Sequence, residues 1–259
     1  MIVYVQTVLN PDPHIESCSR DPEAVVAFFN GWSLYRRIVD NDYLYHRSVK
    51  ASLGEWLNGL EQELGRPFSF LDLGCGDGLF SSEILEGRSL SGYTGMDISP
   101  VALDLAEQNT RQIKAPCTLK IGDFLTEITS LPDTYDIIYI GLSLHHLPRM
   151  EKEFFFGELR LKLSPCGALV IFDPVLTPGE TRDSYMGRWV DHAEWAWNEL
   201  TAEEVAGAIQ HVTSSDYPEE IGTLNRLAAL SGFDPAEVLF MDQTDFYALM
   251  VFRTNAHSS

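Results

Sequence analysis

Two stretches of this chain carry residue types that can do chemistry. In Asp72-Leu73-Gly74-Cys75-Gly76-Asp77-Gly78 an acid precedes three glycines at alternate positions. In Leu142-Ser143-Leu144-His145-His146-Leu147 two adjacent histidines follow an apolar run. Glycines so spaced remove the Cβ atoms that keep a ligand off the backbone, and they permit positive φ, so the first stretch reads as a tight turn that cradles a ligand. A helix beginning near Leu79 aims its unpaired N–H groups at the same place. Histidine titrates near neutrality and can take a proton from a reacting group, so the second stretch offers a base or a hydrogen-bonding wall. Adjacent side chains on a turn point in different directions, which leaves at most one of the pair facing a pocket. With no acid at a ligand-like spacing in that stretch, no metal site is expected there.

The elements that must position these residues alternate between strand and helix. Phe70 to Leu73 is the end of a buried parallel strand running into the glycine turn. Gly92 to Ile98 reads as a second strand ending in Asp97, and Ser99-Pro100 caps the next helix, which runs to about Arg111. Cys117 to Ile121 and Tyr135 to Gly141 are the third and fourth strands, the fourth apolar enough to be central. A helix over Phe154 to Leu163 and a strand over Ala168 to Asp173 follow. The closing strands, Val238 to Met241 and Phe246 to Phe252, are close enough for an antiparallel hairpin. The class is α/β, a doubly wound, mostly parallel sheet of seven strands. Ligands of such sheets sit beyond the carboxyl ends of the strands, where both reactive stretches fall.

The glycine spacing and the acid narrow the ligand. A dinucleotide turn uses G-x-G-x-x-G under a pyrophosphate, whereas this one is G-x-G-x-G, and Asp72 beside it would repel phosphate. A carboxylate there suits a cation such as S-adenosylmethionine (SAM), which carries a sulfonium and an ammonium and no phosphate. The glycine stretch resembles motif I of the class I SAM-dependent methyltransferases, and the later segments match that family in order. The resemblance implies that Asp72, Gly74 and Gly76 hold the cofactor, that Asp97 binds the ribose with Ile98 beside the adenine, and that Asp123 and Phe124 meet the adenine amine and ring. Asp123 also reads as an N-cap. Gly141 and Leu142 border the methyl group, and the segment through His145 and His146 looks like motif IV of the small-molecule branch. It does not look like the Asn/Asp-Pro-Pro-aromatic motif of the branch that methylates nucleic-acid bases. Cys166 stands where the family usually has a glycine.

The flanks differ from this core. Residues 1–64 read as a helical extension: Asp21-Pro22 starts a helix with Ala24, Val25, Phe28 and Phe29 on its apolar face, and an aromatic-rich stretch follows. In the family such an extension folds over the cofactor, which makes Tyr35, His46 and Arg47 candidates for its methionine end. Residues 65–259 form the methyltransferase domain, with an acceptor lid at about 174–218. Within the lid Tyr185, Trp189 and His192 share a helical face. Trp195 and Trp197 add aromatic surface. Thr201-Ala202-Glu203-Glu204 is a capping box for a helix to about Gln210, and His211, Asp216 and Tyr217 lie in a polar connection after it, Asp216 as an N-cap. His146, His145 and His211 are the candidate catalytic residues, and Tyr185, Trp189, His192 and Tyr217 the candidate acceptor contacts.

Composition bounds what these parts serve. A net charge of −20 over 259 residues argues against tracking phosphates, so nucleic acid is a poor partner. The four cysteines lack zinc spacing and look like reduced cytoplasmic thiols. Met1 to Leu9 is apolar but lacks a basic flank and is too short to span a bilayer, so no membrane association is expected. The expected activity is SAM-dependent methylation of N, O or C in a small molecule. Two alternatives stay open: an NAD-dependent oxidoreductase, which shares the fold and Asp97, and a catalytically silent SAM-binding protein. The acceptor and the oligomeric state are not legible.

Overall fold

The computed structural model of the chain describes residues 32–131 and 134–254. The helix start at Asp21-Pro22, Cys18 and the apolar stretch from Met1 lie outside them. Strands β1 (Phe68–Leu73), β2 (Leu90–Asp97), β3 (Cys117–Ile121), β4 (Tyr135–Gly141), β5 (Leu163–Leu176), β7 (Glu237–Met241) and β8 (Tyr247–Arg253) form one sheet in the order β3-β2-β1-β4-β5-β8-β7. All pairings are parallel except those of β8 with β5 and β7, which are antiparallel. The two-residue β6 (Glu219–Glu220) pairs only with the end of β5.

Alternation along the central strands explains the layering. Phe68, Phe70, Ile137, Tyr139, Val170 and Phe172 face one core, while Leu71, Leu73, Ile138, Ile140, Leu169 and Ile171 face the other. A strand buried on both sides is apolar along most of its length, and β4 is buried up to its last glycine, with Asp136 near its start paired to the Arg66 guanidinium. The first core also takes in Ile38, Val49, Leu53, Leu57 and Leu60 from helices α1 (Trp32–Asp40) and α2 (His46–Leu64), together with Tyr185, Trp189 and Trp197 from the lid. Helices α1 and α2 and the segment after β5 thus pack on the same face of the sheet.

Helices α3 (Leu79–Ile84), α4 (Pro100–Asn109) and α5 (Phe124–Glu127) follow β1, β2 and β3. Ser99 caps α4 with Pro100 at its first position, and Asp123 caps α5 by accepting from the Leu125 amide. Three expected boundaries move. Helix α6 (Arg149–Leu161) begins before Phe154 because Pro148, which cannot donate, stands at its N-cap. Strand β5 extends well beyond Ala168–Asp173, its far end held by β8 and β6. After α7 (Arg182–Ala196), the capping-box helix α8 (Ala202–Ser215) runs past Gln210 through His211, so Asp216 is its C-cap and not the N-cap of α9 (Ile221–Leu230).

Candidate active site

Two clefts meet at the carboxyl ends of β1 and β4, where the sheet changes winding direction. The first, about 650 Å³ with its open mouth, is lined by Gly74, Cys75, Gly76 and Asp77 of the turn, by Asp72, Tyr139, Gly141 and Leu142 from the strand ends, and by Tyr35, Arg36, His46 and Lys50 from the extension. The second, about 500 Å³ and mostly apolar, is lined by His145, His146, His211 and Asp216, by Trp189, Trp197 and Tyr247, and again by Tyr35 and Leu142. Those two shared residues are the wall between the clefts. Leu142 is held at a φ of 50°, an uncommon conformation for a residue with a side chain, and its amide donates to the Phe172 carbonyl at 2.7 Å.

The glycine turn is held from below. The amides of Gly74 and Cys75 both donate to the Met96 carbonyl, at 2.8 and 3.0 Å, and Gly76 donates to Oδ2 of Asp97 at 2.8 Å. The other oxygen of Asp97 accepts from Ser99 N at 2.8 Å, and burial raises its pKa. Gly74 has a φ of 73°, and a Cβ there would stand 2.3 Å from Ser143 Oγ. A side chain there would have to displace Ser143 and take a strained backbone conformation.

Asp72 is 2% exposed, and its Oδ2 accepts from Ser81 Oγ at 2.5 Å and from the Tyr93 hydroxyl at 2.9 Å. Burial pushes its pKa up to about 7 despite those donors, so at neutral pH the carboxyl is poised to ionise beside a cation. Nearby, burial and the Lys50 ammonium push His46 down to about 4, which makes it a neutral wall residue packed edge-on to Phe80 and Phe172. Arg36 reaches to 3.6 Å from Oδ2 of Asp77 across the mouth, and Tyr139 stacks on Phe80.

The second cleft has a buried polar floor. His145 Nδ1 lies 2.8 Å from Oδ1 of Asp173, and its Nε2 lies 3.5 Å from Oδ1 of Asp216. His146 Nδ1 lies 3.3 Å from the Ser215 carbonyl and 3.4 Å from the same Asp216 oxygen. Burial pulls the His145 pKa down, but the carboxylates of Asp216 and Asp173 outweigh it and leave a net rise. Burial and the neighbouring His145 lower that of His146. His211 is pushed down to about 4, chiefly by burial, and its ring stands 5.3 Å from that of His146. Arg182 fixes this floor by donating to the carbonyls of Asp216 and Thr213, and the Tyr217 amide braces the His145 carbonyl at 2.7 Å. Buried Lys152, with a pKa lowered to about 8 by desolvation, donates to the Tyr217 carbonyl.

Most of the expected donor-site residues converge. Tyr35, His46, Asp72, Gly74, Gly76, Gly141 and Leu142 line the first cleft, with Asp97 beneath its turn. Ile98, Asp123 and Phe124 flank the ends of β2 and β3 and do not line it. Arg47 is turned away, with its amide donating to the Asp42 carboxylate and its guanidinium 3.4 Å from the Asp40 carbonyl, while Arg36 and Lys50 take the place expected of it.

The acceptor side departs further from expectation. Both histidines of the pair face one cleft, because the 3₁₀ turn Leu144–His146 carries them side by side, with ring centroids 4.1 Å apart. An acid does meet them, but it comes from the far end of α8 rather than from the same stretch. Trp189 lines the cleft as expected, its Nε1 donating to the Tyr247 hydroxyl at 2.8 Å. Tyr185 is buried behind it against Phe246, His192 also packs on Phe246, and the Arg182 guanidinium covers Tyr217. Trp195 is 81% exposed and lines neither cleft, whereas Trp197 and Tyr247 supply the aromatic surface. Asp216 is the residue that sequence reasoning missed as a site group, and a lone acid at a helix end gave no signal.

Residues 70–167 match the family model for a methyltransferase domain. A 100-residue stretch is 35% identical to the release factor glutamine methyltransferase of Streptococcus pneumoniae, covering 39% of this chain and 34% of that protein. The chain spans between a third and a half of the length of the curated relatives it matches. Among solved structures, the magnesium protoporphyrin IX methyltransferase of Synechocystis PCC 6803, with bound S-adenosylhomocysteine, superposes with a TM-score of 0.63 at 16% identity, over 91% of this chain and all of that one. The plantazolicin methyltransferase BamL superposes with a TM-score of 0.64 at 14% identity, over 90% and 94% of the two chains.

Proposed function

We propose that this chain, which carries a class I SAM-dependent methyltransferase domain, transfers a methyl group from SAM to a small molecule held in the second cleft. The observation that carries the reading is the pair of clefts sharing Tyr35 and Leu142 as their wall, one built of glycine backbone and a buried acid, the other of aromatic and histidine side chains. A donor in the first cleft and an acceptor in the second would meet at that shared wall. Displacement of the methyl from a sulfonium needs alignment and exclusion of water more than strong acid–base help.

Each residue then has a task. The Asp72 carboxylate faces the cationic methionine end, Asp97 pins the turn and keeps lone pairs for ribose hydroxyls, and the histidine floor takes the acceptor's proton, with His146 as the base. A recess walled by Trp189, Trp197, Tyr247 and the histidines suits a small ligand rather than a macromolecular chain. The solved neighbours named for magnesium protoporphyrin IX and plantazolicin agree with that, and they match the chain nearly end to end. The relatives named for release factor and ribosomal protein L11 match it only in part. A net charge of −20 and the absence, among the described residues, of any helix long and apolar enough to cross a membrane fit the same reading. NAD is not favoured, since a buried carboxylate stands where a pyrophosphate would press.

Calorimetry with SAM, S-adenosylhomocysteine and NADH, followed by an acceptor screen with labelled methyl donor, tests this. Binding of both adenosyl ligands and labelled product from a small molecule are expected. NADH binding without SAM binding would overturn the reading.

A further inference from the structure

We propose that His145, His146 and Asp216 form a binding site for one divalent transition-metal ion on the floor of the acceptor cleft, with its open coordination position turned toward the acceptor. The inference rests on the methyltransferase reading and names the acceptor class, a hydroxyl compound.

The geometry of the three side chains carries it. Asp216 Oδ1 is 3.5 Å from His145 Nε2 and 3.4 Å from His146 Nδ1, and one ligand atom from each residue lies within 4.8 Å of the others. Ligands bonded at 2.0–2.2 Å in a tetrahedral shell are separated by about 3.4 Å. All three residues are buried, and Asp216 Oδ1 has no well-formed hydrogen bond, only the long approaches of the two imidazoles at 3.4 and 3.5 Å. A buried carboxylate oxygen without a donor is costly unless a cation neutralises it.

The second layer is also in place. Nδ1 of His145 is engaged by Asp173 at 2.8 Å, which fixes the tautomer whose Nε2 lone pair points at Asp216. A carboxylate behind a ligating imidazole is the usual support of a metal-bound histidine. Two imidazoles and one carboxylate suit zinc, cobalt, iron or manganese better than magnesium or calcium, which prefer oxygen ligands. On binding, the Nδ1 proton of His146 leaves and its contact with the Ser215 carbonyl at 3.3 Å gives way to the ion. Three protein ligands leave a position for a fourth, beside His211.

An acceptor hydroxyl at that position acidifies. With the ion bound, His146 is a ligand in place of the base, so the O–H bond breaks and the proton passes to His211 or solvent. The oxygen pair then forms the bond to the methyl carbon, and the S–CH₃ bond breaks with its electrons remaining on sulfur as S-adenosylhomocysteine. The ion keeps its oxidation state throughout.

The test uses the full chain stripped with a chelator, titrated with cobalt(II) and followed by visible absorption, with zinc as competitor and SAM binding measured separately by calorimetry. One equivalent of cobalt with intense low-symmetry absorption, displaced by zinc, is expected. Asp216→Asn should weaken uptake by at least about 100-fold, and Asp173→Asn by about 10- to 100-fold while leaving the absorption band shape unchanged. SAM binding by both variants checks that they fold. SAM binding with no cobalt uptake, or uptake indifferent to both substitutions, would overturn the metal site and leave the methyltransferase reading standing. Cobalt uptake without SAM binding would keep the site and remove its assignment to methyl transfer.

Discussion

The proposed donor cleft and the proposed acceptor cleft are built by opposite means. The first rests on backbone: a turn between β1 and α3, hydrogen-bonded to the end of β2, whose shape is set by glycines a few residues apart. The second rests on side chains gathered from α1, the turn after β4, α7, α8 and β8. A backbone site tolerates little change at its glycines and is indifferent to many side chains around it. A side-chain site can be rewritten one residue at a time while the sheet beneath it stays the same. This difference suits an enzyme that keeps its cofactor and selects its acceptor.

The comparison breaks most sharply at Gly74. Gly74→Ala places a Cβ against Ser143 and forces a residue to a φ of 73°. SAM affinity should fall by roughly 100-fold or more, ~2.8 kcal/mol, by calorimetry. The double substitution with Ser143→Gly should recover part of that loss. Full affinity in the single variant would mean that the turn is not the cradle.

Next in size is the acceptor side. His146→Ala should lower turnover by about 10²- to 10⁴-fold and leave the SAM dissociation constant within about twofold, because the ring faces the second cleft. Equal losses in turnover and SAM binding would show that the clefts are not separable.

The same contrast governs what could be read in advance. The strand-to-helix alternation around the glycine turn, the Ser99-Pro100 and Asp123 caps and the glycine turn's own shape follow from local patterns, since each depends on neighbours a few residues away. Asp216 was not legible as a site residue, because its partners His145 and His146 come to it only through the docking of α8 and the grip of Arg182. The lid aromatics show the same limit. Helical spacing put Tyr185, Trp189 and His192 on one face, but how α7 sits on β8 decides that only Trp189 reaches the cleft. Arg47 and Lys50 lie on one helix less than a turn apart, and its rotation about its axis, which no local pattern fixes, chose between them.

A smaller effect separates charge from shape in the donor cleft. The Asp72 carboxyl, raised to about 7 by burial, holds a proton in the free protein below that pH, and a cationic ligand must displace it. SAM affinity should therefore rise with pH by up to about tenfold per unit below pH 7 and level off above it. His46, at about 4, stays neutral through this window and does not contribute. Asp72→Asn should flatten the profile and lower its plateau. A profile of unchanged slope in that variant would assign the titration to another group.

The smallest effect decides how far the backbone site depends on its side-chain rim. Arg36 and Arg47 carry the same charge on neighbouring helices and are both largely exposed, so net charge alone predicts equal losses for Arg36→Ala and Arg47→Ala. Their directions differ. Arg36 donates from Nε to Asp40 Oδ1 at 2.9 Å and extends Nη1 across the cleft mouth to 3.6 Å from Asp77, while Arg47 stays with the Asp42 carboxylate and the Asp40 carbonyl. Exposed ion pairs contribute at most about 1 kcal/mol, so Arg36→Ala should weaken SAM binding by about threefold and Arg47→Ala by less than the error of the titration. Equal losses would mean that the extension acts on SAM through its overall field. Unequal losses in the expected sense would mean that it acts as a lid, with particular residues placed over the turn.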